Sequence, residues 1–202
     1  MSARTPVAVL ISGRGSNMQA LIDATQAESF PARIVLVISN VEDAGGLARA
    51  SAAGIATLTI PHKGKSREAF DAELDAALRT AGAEIVCLAG FMRILSDGFA
   101  RAWEGKLLNI HPSLLPAFKG TQVHEQALAA GVRVSGCTVH FVVPELDAGP
   151  IIAQEAVSVL TGDTPDMLAA RILKAEHRLY PTALRLVCEG RVKLENGVAT
   201  FA

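Results

Sequence analysis

Asn109 and His111 stand two residues apart in the apolar stretch LLNIHP (107–112), and Asp147 lies in the turn-like stretch PELDAGP (144–150). If LLNIH is a strand, its side chains alternate between faces, so Asn109 and His111 point one way and Ile110 the other. Pro112 cannot donate to a sheet ladder and holds its predecessor extended, which predicts that the strand stops near His111. Both polar groups then sit at the carboxyl end of a strand, the end at which open parallel sheets bind ligands. A carboxylate such as Asp147 beside an imidazole favours the protonated ring, while Asn109 offers neutral N–H donors. Together they could stabilise an oxyanion in acyl transfer. No GxSxG elbow is present, so direct attack by a substrate amine is simpler than a covalent intermediate. Each residue also has a plain structural account: a strand-end Asn, a core His, a turn Asp. Residue types and spacing leave the two accounts balanced.

A second candidate site follows the first apolar run. Gly13, Arg14, Gly15, Ser16 and Asn17 separate VAVLIS (7–12) from an amphipathic stretch at 16–27. Backbone N–H groups at such a strand-to-helix turn favour a phosphate. The dinucleotide fingerprint GxGxxG fails at Met18, and Ser39-Asn40 replaces the acidic residue expected after a second strand, so a monophosphate fits better than a dinucleotide. The competing account is a tight turn with Ser16 as helix cap.

These residues need a scaffold, and the pattern predicts an α/β one. Strands at 7–12, 33–39, 57–60 and 84–90 alternate with helices at 16–27, 43–53 and 66–81, and strands this apolar suit a parallel sheet covered on both faces. After residue 107 the pattern becomes mixed: a helix at 122–130, a strand pair at 137–143 and 150–160, and a long closing helix. Thr164 is its expected cap and Pro165 its first residue, Leu168, Ile172, Ala175, Leu179, Ala183 and Leu186 form its apolar stripe, and Pro181 is expected to kink it. Glu195-Asn196-Gly197 marks a type I′ hairpin. The expected architecture is a single Rossmann-like domain over 1–202, an open sheet parallel in the N-terminal half (about 1–105) and mixed in the C-terminal half (about 106–202), with helices on both faces.

A chain of 202 residues, half hydrophobic, with net charge −1, has no basic stripe for nucleic acid or an anionic membrane. Small-molecule substrates are the expected partners. Neither a signal peptide nor a membrane span is legible, so a cytoplasmic location is expected. Cys87, Cys137 and Cys188 are scattered in apolar runs, which points to reduced thiols rather than a zinc site or disulfides.

The chain also resembles the phosphoribosylglycinamide formyltransferase family through ISGRGSN (11–17), AGFMRILS (89–96), LLNIHPSLLP (107–116), HFVVPELDAGPII (140–152) and AEHRLYP (175–181). The resemblance covers nearly the whole length. It implies that 10-formyltetrahydrofolate, a co-substrate, gives its formyl group to the amine of a phosphoribosyl glycinamide, with Asn109, His111 and Asp147 on the catalytic triplet and no metal. It assigns the ribonucleotide to Gly13, Arg14, Gly15, Ser16, Asn17, Lys174, Ala175 and Glu176. Folate falls to Arg67, Met92, Arg93, Ile94, Leu95 and Asn109, and to Val143, Pro144, Glu145, Leu146 and Asp147. By residue type alone, FMRIL passes for core and Arg67 for a surface charge. The stretch AFKGTQVH (117–124) departs from the Gly-Leu-x-Thr-His pattern of many relatives. Methionyl-tRNA formyltransferases and formyl-folate hydrolases share Asn-x-His and the downstream Asp, but are expected to carry an added basic C-terminal domain and an N-terminal extension, respectively. A non-catalytic nucleotide-binding module is the alternative from another class. A monomer or a homodimer is expected.

Overall fold

β1 (Thr5–Ile11) supplies side chains to two cores at once, because its residues alternate between faces. In the computed structural model, which describes residues 4–202, Val7, Val9 and Ile11 join one buried cluster, and Ala8 and Leu10 join another. The chain then alternates: α1 (Ser16–Thr25), β2 (Ala32–Ser39), α2 (Gly45–Ala52), β3 (Thr57–Thr59), α3 (Arg67–Thr80), β4 (Ile85–Leu88), α4 (Asp97–Ala102) and β5 (Leu107–His111). It continues through α5 (Val123–Ala129), β6 (Val134–Phe141), β7 (Ile151–Ser158) and α6 (Pro165–Cys188), and ends in a separate hairpin of β8 (Val192–Glu195) and β9 (Val198–Phe201).

β1 to β7 form one seven-stranded sheet in the order β3-β2-β1-β4-β5-β6-β7. Pairing is parallel from β3 to β5 and antiparallel for β5–β6 and β6–β7. The order turns back on itself between β1 and β4, which opens a crevice at their carboxyl ends. This is the expected single α/β domain, parallel first and mixed later.

Helices cover both faces. Met18, Leu21 and Ile22 of α1 and Leu168, Ile172, Leu179 and Leu184 of α6 pack with Leu108 and Ile110 on one side. Phe70, Leu74 and Leu78 of α3, with Phe99 and Trp103, pack with Val86 and Leu107 on the other. Because Leu107, Asn109 and His111 share a face, the α3/α4 layer buries the start of that row and stops short of its polar end.

The local signals and the structure differ in a few places. α4 is a six-residue helix that the apolar run FMRILSDGFARAW does not announce; Ser96 Oγ caps it by accepting from the Phe99 N–H. β6 starts at Val134, because Val134 to Gly136 pair with Ser158 to Ala156 despite the glycine. Ser16 is not the cap of α1: Gly15 occupies that position at φ 71°, and Ser16 is the first helical residue. α6 continues through Pro181 to Cys188, as its apolar stripe to Leu186 implied. Thr164 does cap that helix, accepting from the Met167 N–H, and Asn196 and Gly197 both have positive φ, as a type I′ turn requires. Among the described residues no helix is long and apolar enough to cross a membrane. Cys87, Cys137 and Cys188 are free thiols; burial raises all three pKa values, to about 12 for Cys137 and about 11 for Cys188.

Candidate active site

Register sets the centre of the site. Across the antiparallel β5–β6 pair, Asn109 lies opposite His140 and His111 opposite Thr138, so the two sequence-predicted residues and His140 share one face. Asn109 Nδ2 lies 3.2 Å from His140 Nε2, and His140 Nδ1 lies 2.8 Å from the Phe141 carbonyl oxygen. A carbonyl can only accept, so Nδ1 carries the hydrogen and Nε2 accepts from the Asn109 amide. Burial holds the His140 pKa below the usual histidine range, which favours this neutral ring.

Asp147 comes to the same face from the loop after β6, in a left-handed conformation at φ 48°. Its Oδ2 lies 3.5 Å from His111 Nδ1 and accepts from the Gly120 N–H at 2.8 Å, and its Oδ1 lies 4.0 Å from His140 Nε2. Both side chains of the His111–Asp147 pair are more than nine-tenths buried. The other ring nitrogen, His111 Nε2, donates to the Phe118 carbonyl at 2.9 Å. His111 therefore has the Phe118 carbonyl at one ring nitrogen and the Asp147 carboxylate facing the other. Asn109, His111 and Asp147 are brought together; His140 and the Phe118–Gly120 backbone were not singled out by residue type. An apolar-flanked histidine inside CTVHFVV carries little signal until the register puts it opposite Asn109.

The glycine loop lies at the sheet crevice. Position 15 has no room for a side chain because Gly46 of α2 approaches it: a Cβ on Gly15 would lie 2.9 Å from the Gly46 Cα, and the Gly46 N–H donates to the Gly13 carbonyl at 3.0 Å. Gly13 and Arg14 are exposed, and Ser16 is half-buried at the start of α1. Asn17 Nδ2 donates to Glu176 Oε2 at 2.8 Å, joining the loop to α6 across the core, and Asn17 Oδ1 is buried without a partner. Burial raises the Glu176 pKa, and the Asn17 bond lowers it only in part. Lys174 is exposed on the same helix, whereas the Ala175 side chain packs into the core.

The 91–96 loop leaves β4 beside this crevice. Its Met92 N–H donates to Ser12 Oγ at 2.7 Å, and its Ser96 N–H to buried Asp71 at 2.6 Å. Arg93 stacks over the Phe70 ring at 4.7 Å and reaches the carbonyls of Lys65 and Ser66, which places this loop beside the exposed Arg67. Leu95 packs inward, but Met92 and Ile94 are exposed, as is Leu146 on the second loop with Pro144 and Glu145; Val143 is half-buried. Large apolar side chains left uncovered on two loops flanking a polar centre are the surface a flat, mostly apolar ligand could cover.

The Formyl transferase family profile matches residues 5–184. The chain is 47% identical over 194 residues to a phosphoribosylglycinamide formyltransferase of Escherichia coli, covering 96% of this chain and 92% of that protein. It is 59% identical over 193 residues to the trifunctional purine biosynthetic protein adenosine-3 of Bos taurus; the match covers 95% of this chain but only 19% of that protein's length. The crystal structure of glycinamide ribonucleotide transformylase 1 from Symbiobacterium toebii superposes with a TM-score of 0.95 at 47% identity, covering 100% of this chain and 95% of that one. A profile spanning most of the chain, a full-length relative and a superposable fold carry one conclusion: the chain belongs to the formyl transferase family.

Proposed function

We propose that this enzyme transfers the formyl group of 10-formyltetrahydrofolate to the amine of phosphoribosylglycinamide, a step of purine biosynthesis. The observation that carries this reading is the convergence of Asn109, His111 and Asp147 on one face at the end of β5. The names of the full-length relative and of the superposed structure supply the acceptor.

In this reading the Gly13–Asn17 loop and Lys174 hold the substrate's phosphoribosyl end, with Asn17 Oδ1 and Glu176 as acceptors for its hydroxyl or amide hydrogens. The pterin covers Met92, Ile94 and the 143–147 loop, and Arg67 and Arg93 supply positive charge to its carboxylate tail. The amine nitrogen, uncharged, attacks the formyl carbon and forms the new C–N bond. Negative charge develops on the formyl oxygen, where an Asn109 N–H and His111 Nε2 stabilise it, the oxygen taking the place of the Phe118 carbonyl. Collapse breaks the bond to the folate nitrogen, and the proton lost by the amine ends on that nitrogen. Asp147 keeps His111 charged and oriented and assists this proton movement.

A spectroscopic assay of folate product tests the proposal. Product should form with glycinamide ribonucleotide, and not with water or methionyl-tRNA as acceptor. Product formation at the same rate without the ribonucleotide would identify a hydrolase instead, and ribonucleotide binding without any transfer would identify a non-catalytic module.

A further inference from the structure

His140 makes two hydrogen bonds, to Asn109 and to the Phe141 carbonyl, and Asp147 Oδ1 lies 4.0 Å from its Nε2. It is 2% exposed, and the Phe141 carbonyl on its Nδ1 side dictates where its only ring hydrogen sits. The opposite nitrogen is then a lone pair aimed at Asn109. A carboxamide has two ends of nearly the same shape and opposite polarity. Only its NH₂ end can face a lone pair; the flipped amide would set Oδ1 against Nε2, acceptor against acceptor. The second N–H of Asn109 is thereby kept off the ring and free for another acceptor.

The backbone protects this arrangement. Gly149, returning from the Asp147 loop, passes so close that a Cβ there would lie 1.7 Å from the Phe141 carbonyl oxygen and 3.4 Å from His140 Nδ1. Any side chain at 149 must displace the acceptor that sets the His140 tautomer. The motif HFVVPELDAG thus contributes a ring, its acceptor, and the glycine that lets the loop close over both, in addition to Asp147.

We propose that His140 is a positioning residue: its bare Nε2 fixes the Asn109 carboxamide with the NH₂ end toward the reacting centre, so that an N–H and not Oδ1 meets the oxyanion. This rests on the catalytic reading of Asn109 given above. His140 touches no reacting atom and acts only through Asn109.

The test has two arms. Heteronuclear NMR of the histidine ring nitrogens in the unmodified protein at neutral pH should show Nδ1 protonated and Nε2 bare for His140; a protonated Nε2 overturns the proposal, and this arm needs no variant to fold. The second arm is a kinetic double-mutant cycle. His140→Leu should lower kcat about tenfold to a hundredfold with KM for both substrates within about threefold, and His140→Gln, which keeps an acceptor, should recover much of the loss. In an Asn109→Ala background, His140→Leu should cost nothing further. An equal loss in both backgrounds, or a glutamine variant no better than leucine, overturns the positioning role. Normal turnover by Asn109→Ala alone would instead remove the catalytic reading, while the NMR arm still reports the tautomer.

Discussion

The Asp147 carboxylate reaches two elements with one oxygen: Oδ2 stands 3.5 Å from His111 Nδ1 and accepts the Gly120 N–H at 2.8 Å. Replacing it with Asn keeps the size and an acceptor but removes the negative charge beside the His111 ring. Asp147→Asn should therefore lower kcat while leaving ribonucleotide and folate dissociation constants nearly unchanged, measured by steady-state kinetics and equilibrium titration. Weakened binding with unchanged kcat would count against the role assigned to this pair.

Asn109 and His111 are read as donors to an oxyanion, so deleting either should act on the barrier. Removing one such donor costs roughly 2.7 to 4 kcal/mol, or about two to three orders of magnitude in kcat. Purified, folded Asn109→Ala and His111→Ala variants that turn over at near-normal rates would reject the assignment.

Glu176 is buried beside Asn17, and burial raises its pKa. The folded state therefore favours the protonated acid, and the corresponding stability is present at low pH and lost as pH rises through the raised pKa. Glu176→Gln keeps an acceptor for Asn17 and cannot ionise. Its Tm should exceed that of the parent at pH 7 and approach it below the ordinary glutamate pKa of about 4.3. The same variant should bind the ribonucleotide more weakly, a trade of function for stability. Equal Tm differences at both pH values would exclude the ionisation as the cause.

Tyr180 is fully buried on α6, and its hydroxyl lies 3.0 Å from the Leu88 carbonyl and 3.2 Å from that of Leu108, on the adjacent strands β4 and β5. Tyr180→Phe removes the donor shared by both carbonyls and leaves them buried. Denaturant unfolding should show a loss of about 1 to 3 kcal/mol with an unchanged m-value. A smaller loss would mean that the carbonyls find other donors.

How much of this was legible beforehand depended on the range of the interactions. Strand and helix order followed from local patterns: VAVLI and IVCL cannot be solvated as loops, and Thr164-Pro165 starts a helix by local bonds alone. The short α4 was hidden because one and a half turns carry too few residues for a periodicity to emerge from an apolar neighbourhood.

Residue order alone determined an α/β chain, the strand that carries Asn109 and His111 on one side, and a glycine turn before the first helix, because each depends on backbone sterics and side-chain alternation within a few residues. Only the tertiary structure decided which groups meet there. His140 enters through the β5–β6 register, Asp147 through a left-handed turn after β6, and Glu176 through packing of α6 on α1. These contacts join residues 31 to 159 positions apart, as for Asn109–His140 and Asn17–Glu176, and are set by strand pairing and core packing rather than by any local preference.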